Sequence, residues 1–219
     1  EWGFRVVVPL TSAGPYQLAE PLGGNGLFVG LAQDGERAVV RVIEPGLAAD
    51  PRFRAEVAAA RRVSGAFTTP VIAANLDADL PWLATAYVAG PTLAEAVRDR
   101  GPAPAASLPL LAAGLASGLL AIHDAGLVHG DLNPSNVLLA EDGPRVTGFG
   151  VGAPVLAPGV FAAGFLAPGQ ALGQDAGPAS DVFSLAAVVV CAAGGLGPCG
   201  AGSSALLMYR LVNSAPDLS

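Results

Sequence analysis

The stretch richest in reactive side chains is His129-Gly130-Asp131-Leu132-Asn133-Pro134-Ser135-Asn136-Val137-Leu138-Leu139. It sets a carboxylate at Asp131 two and five residues ahead of side-chain amides at Asn133 and Asn136. A carboxylate accepts protons, and carboxylate and amide oxygens are hard ligands for cations. Taken alone, the same residues also read as an Asx-rich turn ahead of a strand. The chain then continues through a turn at Glu141-Asp142-Gly143, a short strand over Arg145–Thr147, and Gly148-Phe149-Gly150.

Charge narrows the chemistry. The formal net charge is −7, and no basic stripe is present to neutralise nucleic-acid phosphates, so a nucleic-acid partner is not expected. Lys and Arg together number 11 and every one is arginine: the chain holds no lysine. Cys191 and Cys199 are the two cysteines. The apolar setting of Cys191 favours a small buried side chain in a reducing cytosol over a disulfide.

The elements that must position these residues follow from periodicity. Val39–Ile43 and Trp82–Val88 are β-branched or aromatic runs that predict strands. Between them Phe53–Val63 has helical spacing, with Asp50 as N-cap and Pro51 in the first turn. Thr92 caps a short helix over Leu93–Val97. From Ser107 onward the pattern is largely helical: Leu108–His123, then Val182–Ala193, then Leu206–Val212. The apolar runs Leu108–Ile122 and Val182–Ala193 fall short of a bilayer span and read as core helices. No membrane segment is expected, and Glu1–Tyr16 shows no secretion signal. Gly150–Gly177, rich in Gly, Ala and Pro, reads as a long loop. Strands first and helices afterwards predict an α+β protein of two lobes.

The stretch from His129 to Gly150 resembles the catalytic loop, hairpin and metal loop of protein kinases, in the bacterial serine/threonine form. Further landmarks follow in the family's order. Leu22-Gly23-Gly24-Asn25-Gly26-Leu27-Phe28-Val29 is similar to the glycine-rich phosphate loop, although glycine turns between strands are common. Thr85-Ala86-Tyr87-Val88 resembles the hinge that offers backbone groups to adenine. Ala167-Pro168-Gly169 and Ser180-Asp181-Val182-Phe183-Ser184-Leu185 resemble the end of the activation segment and the helix that anchors the catalytic loop. The resemblance implies an N-terminal extension over residues 1–15, a small strand-rich lobe over 16–88, and a mainly helical lobe over 89–219, incomplete at its C-terminus. It implies that Asp131 handles the substrate hydroxyl proton and that Asn136 holds a metal ion. Asp131 and Asn136 are expected to face the cleft between the lobes. Gly23, Gly26, Val29, Val39, Arg41, Glu56, Ala86, Val88 and Leu138 fall at nucleotide-site positions. His129 and Phe149 match apolar contacts linking the lobes, and Asp181 the backbone anchor; His123 is expected to be an ordinary core or helix-end histidine.

The departures from the family's pattern fall on its charges. Arg41 stands at the position of the phosphate-holding lysine, and the missing lysines exclude rescue from elsewhere; a planar guanidinium is no substitute for a compact ammonium. Gly148 stands where an aspartate would chelate magnesium, leaving Asn136 as the metal ligand. Asp142, in the preceding turn, is expected to face solvent. Asn133 replaces the catalytic-loop lysine, Gly130 an arginine, and Val39 a smaller residue over the adenine. Residues 151–179 contain no Ser, Thr or Tyr. The expectation is therefore a pseudokinase: weak ATP binding, doubtful Mg2+, a protein partner and a cytoplasmic location. The alternatives are an active ATP-dependent serine/threonine kinase and, with less support, a small-molecule phosphotransferase of the aminoglycoside-kinase type, whose His-Gly-Asp motif is similar.

Overall fold

The structure is a computed structural model that describes residues 11–22, 26–150 and 163–217. The chain divides into two compact units, Glu1–Ala55 with Val71–Tyr87, and Glu56–Pro70 with Val88–Ser219.

The first unit is built on six strands: β1 (Ser12–Ala13), β2 (Tyr16–Pro21), β3 (Leu27–Leu31), β4 (Arg37–Val42), β5 (Val71–Asn75) and β6 (Trp82–Ala86). They form one antiparallel sheet in the order β1-β2-β3-β4-β6-β5. Because strand side chains alternate between faces, Ala38 and Val40 of β4 point into a core with Ala13, Tyr16, Trp82 and Ala84. Tyr16 meets Trp82 edge to face at 5.5 Å between ring centroids. β1 lies inside the stretch read from sequence as an extension; pairing Ser12 with Gln17 and Ala13 with Tyr16 makes it an edge strand.

Helix α1 (Pro45–Ala49) is followed by α2 (Pro51–Ala60). Asp50 caps α2 as its spacing predicts, with Oδ1 accepting from the Arg52 and Phe53 amides at 2.7 and 3.4 Å. Residues 56–70, expected in the small lobe, belong instead to the second unit. The physical reason is a pair of backbone hydrogen bonds: Val146 N donates to Phe67 O at 2.8 Å, and Thr69 N donates to Val146 O at 3.0 Å.

The second unit holds α3 (Leu93–Arg100), α4 (Leu108–Asp124), the hairpin β7 (Val137–Ala140) and β8 (Gly143–Val146), α5 (Pro168–Ala171), α6 (Pro178–Gly194) and α7 (Ser204–Asn213). Thr92 and Glu95 form a reciprocal cap on α3: Glu95 N donates to Thr92 Oγ1 at 3.1 Å and Thr92 N to Glu95 Oε2 at 2.8 Å. α4 buries Leu111, Gly114, Leu115, Gly118, Leu119 and Ile122, spaced three and four apart, and packs on β8 and α6. A 3-10 turn at Ala105–Ser107 runs straight into α4. The combined Ala105–Asp124 is 20 residues long with mean hydropathy 1.9, long and apolar enough to cross a bilayer by length and composition alone. Here its inward stripe makes it a core helix of this unit. Within the stretch expected to be a plain loop, the described residues 163–177 carry α5; the rest of that stretch beyond Gly150 lies outside the described residues.

Candidate active site

Asp181 organises the second-unit site. It sits in the first turn of α6, fully buried. Its Oδ1 accepts from Gly130 N at 2.8 Å; its Oδ2 accepts from His129 N and His123 Nε2, both at 2.8 Å. A buried carboxylate needs such donors to offset its desolvation. The loop backbone at His129 and Gly130 is thus bound to α6. His123, expected to be an ordinary core histidine, is the third donor to that carboxylate.

His129 is buried beside it, with its ring clamped between two backbone groups. Nε2 lies 3.0 Å from Thr147 O, and Nδ1 lies 3.4 Å from Asp131 N. A carbonyl only accepts and an amide N–H only donates, which assigns a neutral ring carrying its proton on Nε2. Burial acts in the same sense: it holds the His129 pKa below its ordinary value, against the pull of Asp181 and the Thr147 carbonyl.

Asp131, Asn133, Asn136 and Gly148 come together in the second unit. Asn136 Nδ2 donates to Asp131 O at 2.7 Å. Asn133 Nδ2 donates to the same carbonyl at 2.9 Å and faces Asp131 Oδ1 at 3.3 Å. Burial raises the Asp131 pKa, opposed by His129 and the two asparagine amides. Gly148 has φ +86°, and a Cβ placed on it would lie 3.4 Å from Asn136 Oδ1. A side chain at this position would therefore reach the Asn136 amide oxygen, and glycine supplies none.

That geometry tests the metal. Magnesium binds proteins through carboxylates together with phosphates in an octahedral oxygen shell. Asn136 Oδ1 is one neutral oxygen, and burial raises the pKa of the neighbouring Asp131 carboxyl above its ordinary value. Among the described residues no group of three or more His, Cys, Asp or Glu side chains converges on a metal position. Asp142 is exposed and paired with Arg145 at 2.5 Å, as its turn position predicts. Gly148 adds no side-chain oxygen to the one that Asn136 offers beside it.

The other expected nucleotide-site residues distribute as follows. In the first unit, Val29 pairs with Val39 and Val39 with Thr85, while Leu27 pairs with Arg41 and Arg41 with Leu83. Partners directly opposite share a sheet face, so Val29, Val39 and Arg41 line one face, opposite the Val40 core. Arg41 is buried, and desolvation pushes its pKa down to about 10, which leaves it a cation at neutral pH. Gly26 accepts from Val42 N at 2.8 Å through its carbonyl, tying the start of β3 to β4; Gly23 lies outside the described residues. Ala86 ends β6. Glu56, Val88 and Leu138 belong to the second unit: Glu56 is half-buried on α2, and Leu138 on β7 pairs with Arg145 and bridges to Thr92.

Gln170 of α5 was not singled out by sequence reasoning. Its Nε2 donates to Gly130 O at 2.8 Å and its Oε1 accepts from Ala167 N at 3.0 Å. Gly130 is therefore bound on both sides of its residue, by Asp181 and by Gln170. A glutamine 40 positions from its partner carries no local signal.

Comparison with known proteins places the chain in a family. Residues 31–214 match the family described as "Protein kinase domain". The chain is 45% identical to a probable serine/threonine-protein kinase, PkwA, of Thermomonospora curvata, over 94% of this chain and 30% of that protein. It is 41% identical to the serine/threonine-protein kinase AfsK of Streptomyces coelicolor, over 94% of this chain and 28% of that protein. The AfsK of Streptomyces griseus matches at 41% over 94% of this chain and 27% of its own length. The chain thus spans less than a third of the length of these relatives.

Proposed function

Because the chain belongs to the serine/threonine protein kinase family, we propose that it is a kinase-type domain with impaired phosphoryl transfer, working as a nucleotide- or protein-binding regulatory module. One observation carries the reading: Gly148 presents no carboxylate beside Asn136 Oδ1, where a side chain would come within 3.4 Å. The absence of any lysine supports it from the sequence. Phosphoryl transfer depends almost wholly on positioning and electrostatic stabilisation, so losing the carboxylate at Gly148 and exchanging a compact ammonium for the planar guanidinium of Arg41 together remove several kcal/mol from the transition state. ATP binds weakly and without dependence on magnesium, and the domain acts in the cytoplasm with a protein partner.

A second reading, an active ATP-dependent kinase, draws support from the names of the relatives and from the Asp131–Asn136 pair. Those names give less support to a small-molecule phosphotransferase. Radiolabel transfer from ATP to a generic basic protein separates the first two. No transfer above background is expected. A rate near ~1 s⁻¹, the low end for kinases, overturns the impaired reading.

A further inference from the structure

Asn133 is 3% exposed, and its side-chain polar groups are engaged inside the loop. Nδ2 donates to Asp131 O and faces Asp131 Oδ1, at 2.9 and 3.3 Å. Oδ1 accepts from Ser135 N at 2.9 Å. With φ −150° and ψ 168°, Asn133 is the N-cap of the 3-10 turn Pro134–Asn136, and its own carbonyl accepts from Asn136 N at 2.9 Å. Asn136 then reaches back to the same Asp131 carbonyl. One side chain thus ties Asp131 on one side and starts the turn that carries Asn136 on the other.

We propose that Asn133 is a positioning residue, which orients the Asp131 side chain through Nδ2 and closes the turn presenting Asn136 through Oδ1. A group meant to reach a phosphate would stand in the open, whereas Asn133 is spent on its own loop. Lysine is not equivalent here: an ammonium has no acceptor for the Ser135 N–H, which would be left unpartnered, and its charge would be desolvated. The inference deepens the impaired reading and rests on it only in taking Asp131 as the carboxylate at the reactive position.

The test uses nucleotide-free protein and the variants Asn133→Ala, Asn133→Asp and Asn133→Lys. Three-bond NMR couplings report the χ1 rotamer of Asp131, and thermal unfolding reports the turn. Asp131 is expected to hold one rotamer in the wild type and to average over several in both Asn133→Ala and Asn133→Asp, which lose the Nδ2 donor. Asn133→Asp keeps an acceptor for Ser135 N but sets a buried carboxylate oxygen against the Asp131 carbonyl and carboxyl, so it too should melt below the wild type. Asn133→Ala and Asn133→Lys should each lose about 2–4 °C in Tm, the size of one lost cap in a chain of this length. A single Asp131 rotamer in both the Ala and Asp variants, or an Asn133→Lys protein that melts with the wild type, overturns the proposal. Phosphoryl transfer by the wild type would overturn the impaired reading and leave this result standing.

Discussion

Gly148 is the position where one atom decides most. Its φ of +86° suits glycine, yet the space in front of it ends in ordinary contact with the Asn136 amide at 3.4 Å. Aspartate tolerates positive φ better than most residues, so Gly148→Asp should fold at a loss of about 1 kcal/mol. On the proposed reading, in which both side chains would serve one nucleotide, the double variant Gly148→Asp with Arg41→Lys is expected to gain a magnesium-dependent rise in ATP affinity that neither single variant shows. Calorimetric titration with ATP, with and without magnesium, checks this; equal affinities in the two conditions for the double variant refute it. At Asp181 the expectation is loss. Asp181→Ala leaves the His129 and Gly130 amides and the His123 ring without their acceptor, a buried network whose removal costs about 3 kcal/mol or more. Denaturant unfolding would detect it, and a change below about 1 kcal/mol would show that water replaces the carboxylate.

Among the elements, α4 shows packing overruling intrinsic preference. In isolation Gly→Ala in a helix is favourable by about 1 kcal/mol. At Gly118, however, a Cβ would lie 2.8 Å from Phe67 O and 3.0 Å from Val146 Cγ2. The first contact is backbone already fixed by its bond from Val146 N, so it cannot yield cheaply. Gly118→Ala should therefore destabilise, by about 1–3 kcal/mol, read as a lower urea midpoint at unchanged slope. A raised midpoint would mean that α4 is free to shift off the hairpin.

For the whole molecule the buried titratable groups set a pH dependence. His129 is held neutral, below its ordinary value of 6.5, mainly by burial. As pH falls below about 6.5, the unfolded chain takes up a proton there that the folded chain refuses, so this contribution to stability is present above that pH and fades beneath it. Asp131 works oppositely: its raised folded pKa favours the folded state at low pH, and that contribution is lost as pH rises through the range above its ordinary 3.8. Between about pH 7 and 5.5 the His129 effect should dominate and Tm should fall, since that window opens at the ordinary histidine value. Histidine 15N shifts should show His129 in its Nε2–H neutral form at neutral pH and titrating below an ordinary histidine. A ring that titrates near its ordinary value would refute both the tautomer and the trend.

The amino-acid sequence by itself determined whatever depends on neighbours along the chain. Asp50 ahead of Pro51, Thr92 three residues before Glu95, and the alternation through Val39–Ile43 each contain their partners within a few positions, so cap and strand were legible. The same holds for Asp131, Asn133 and Asn136, whose spacing alone closes a turn. The exchanged cation at Arg41 and the missing carboxylate at Gly148 were legible too, as residue types at positions ordered by the family resemblance. Tertiary structure alone decided which distant groups complete the site. His123 donates to a carboxylate 58 positions away, Gln170 holds Gly130 from 40 positions away, and Val146 draws residues 56–70 into the second unit. Such pairings carry no period or local spacing, because a buried donor takes whichever acceptor the packed elements bring to it. The apolar run from Leu108 reads as a core helix from the sequence, and although Ala105–Asp124 is long and apolar enough to cross a bilayer, its packing on β8 and α6 places one face in the core.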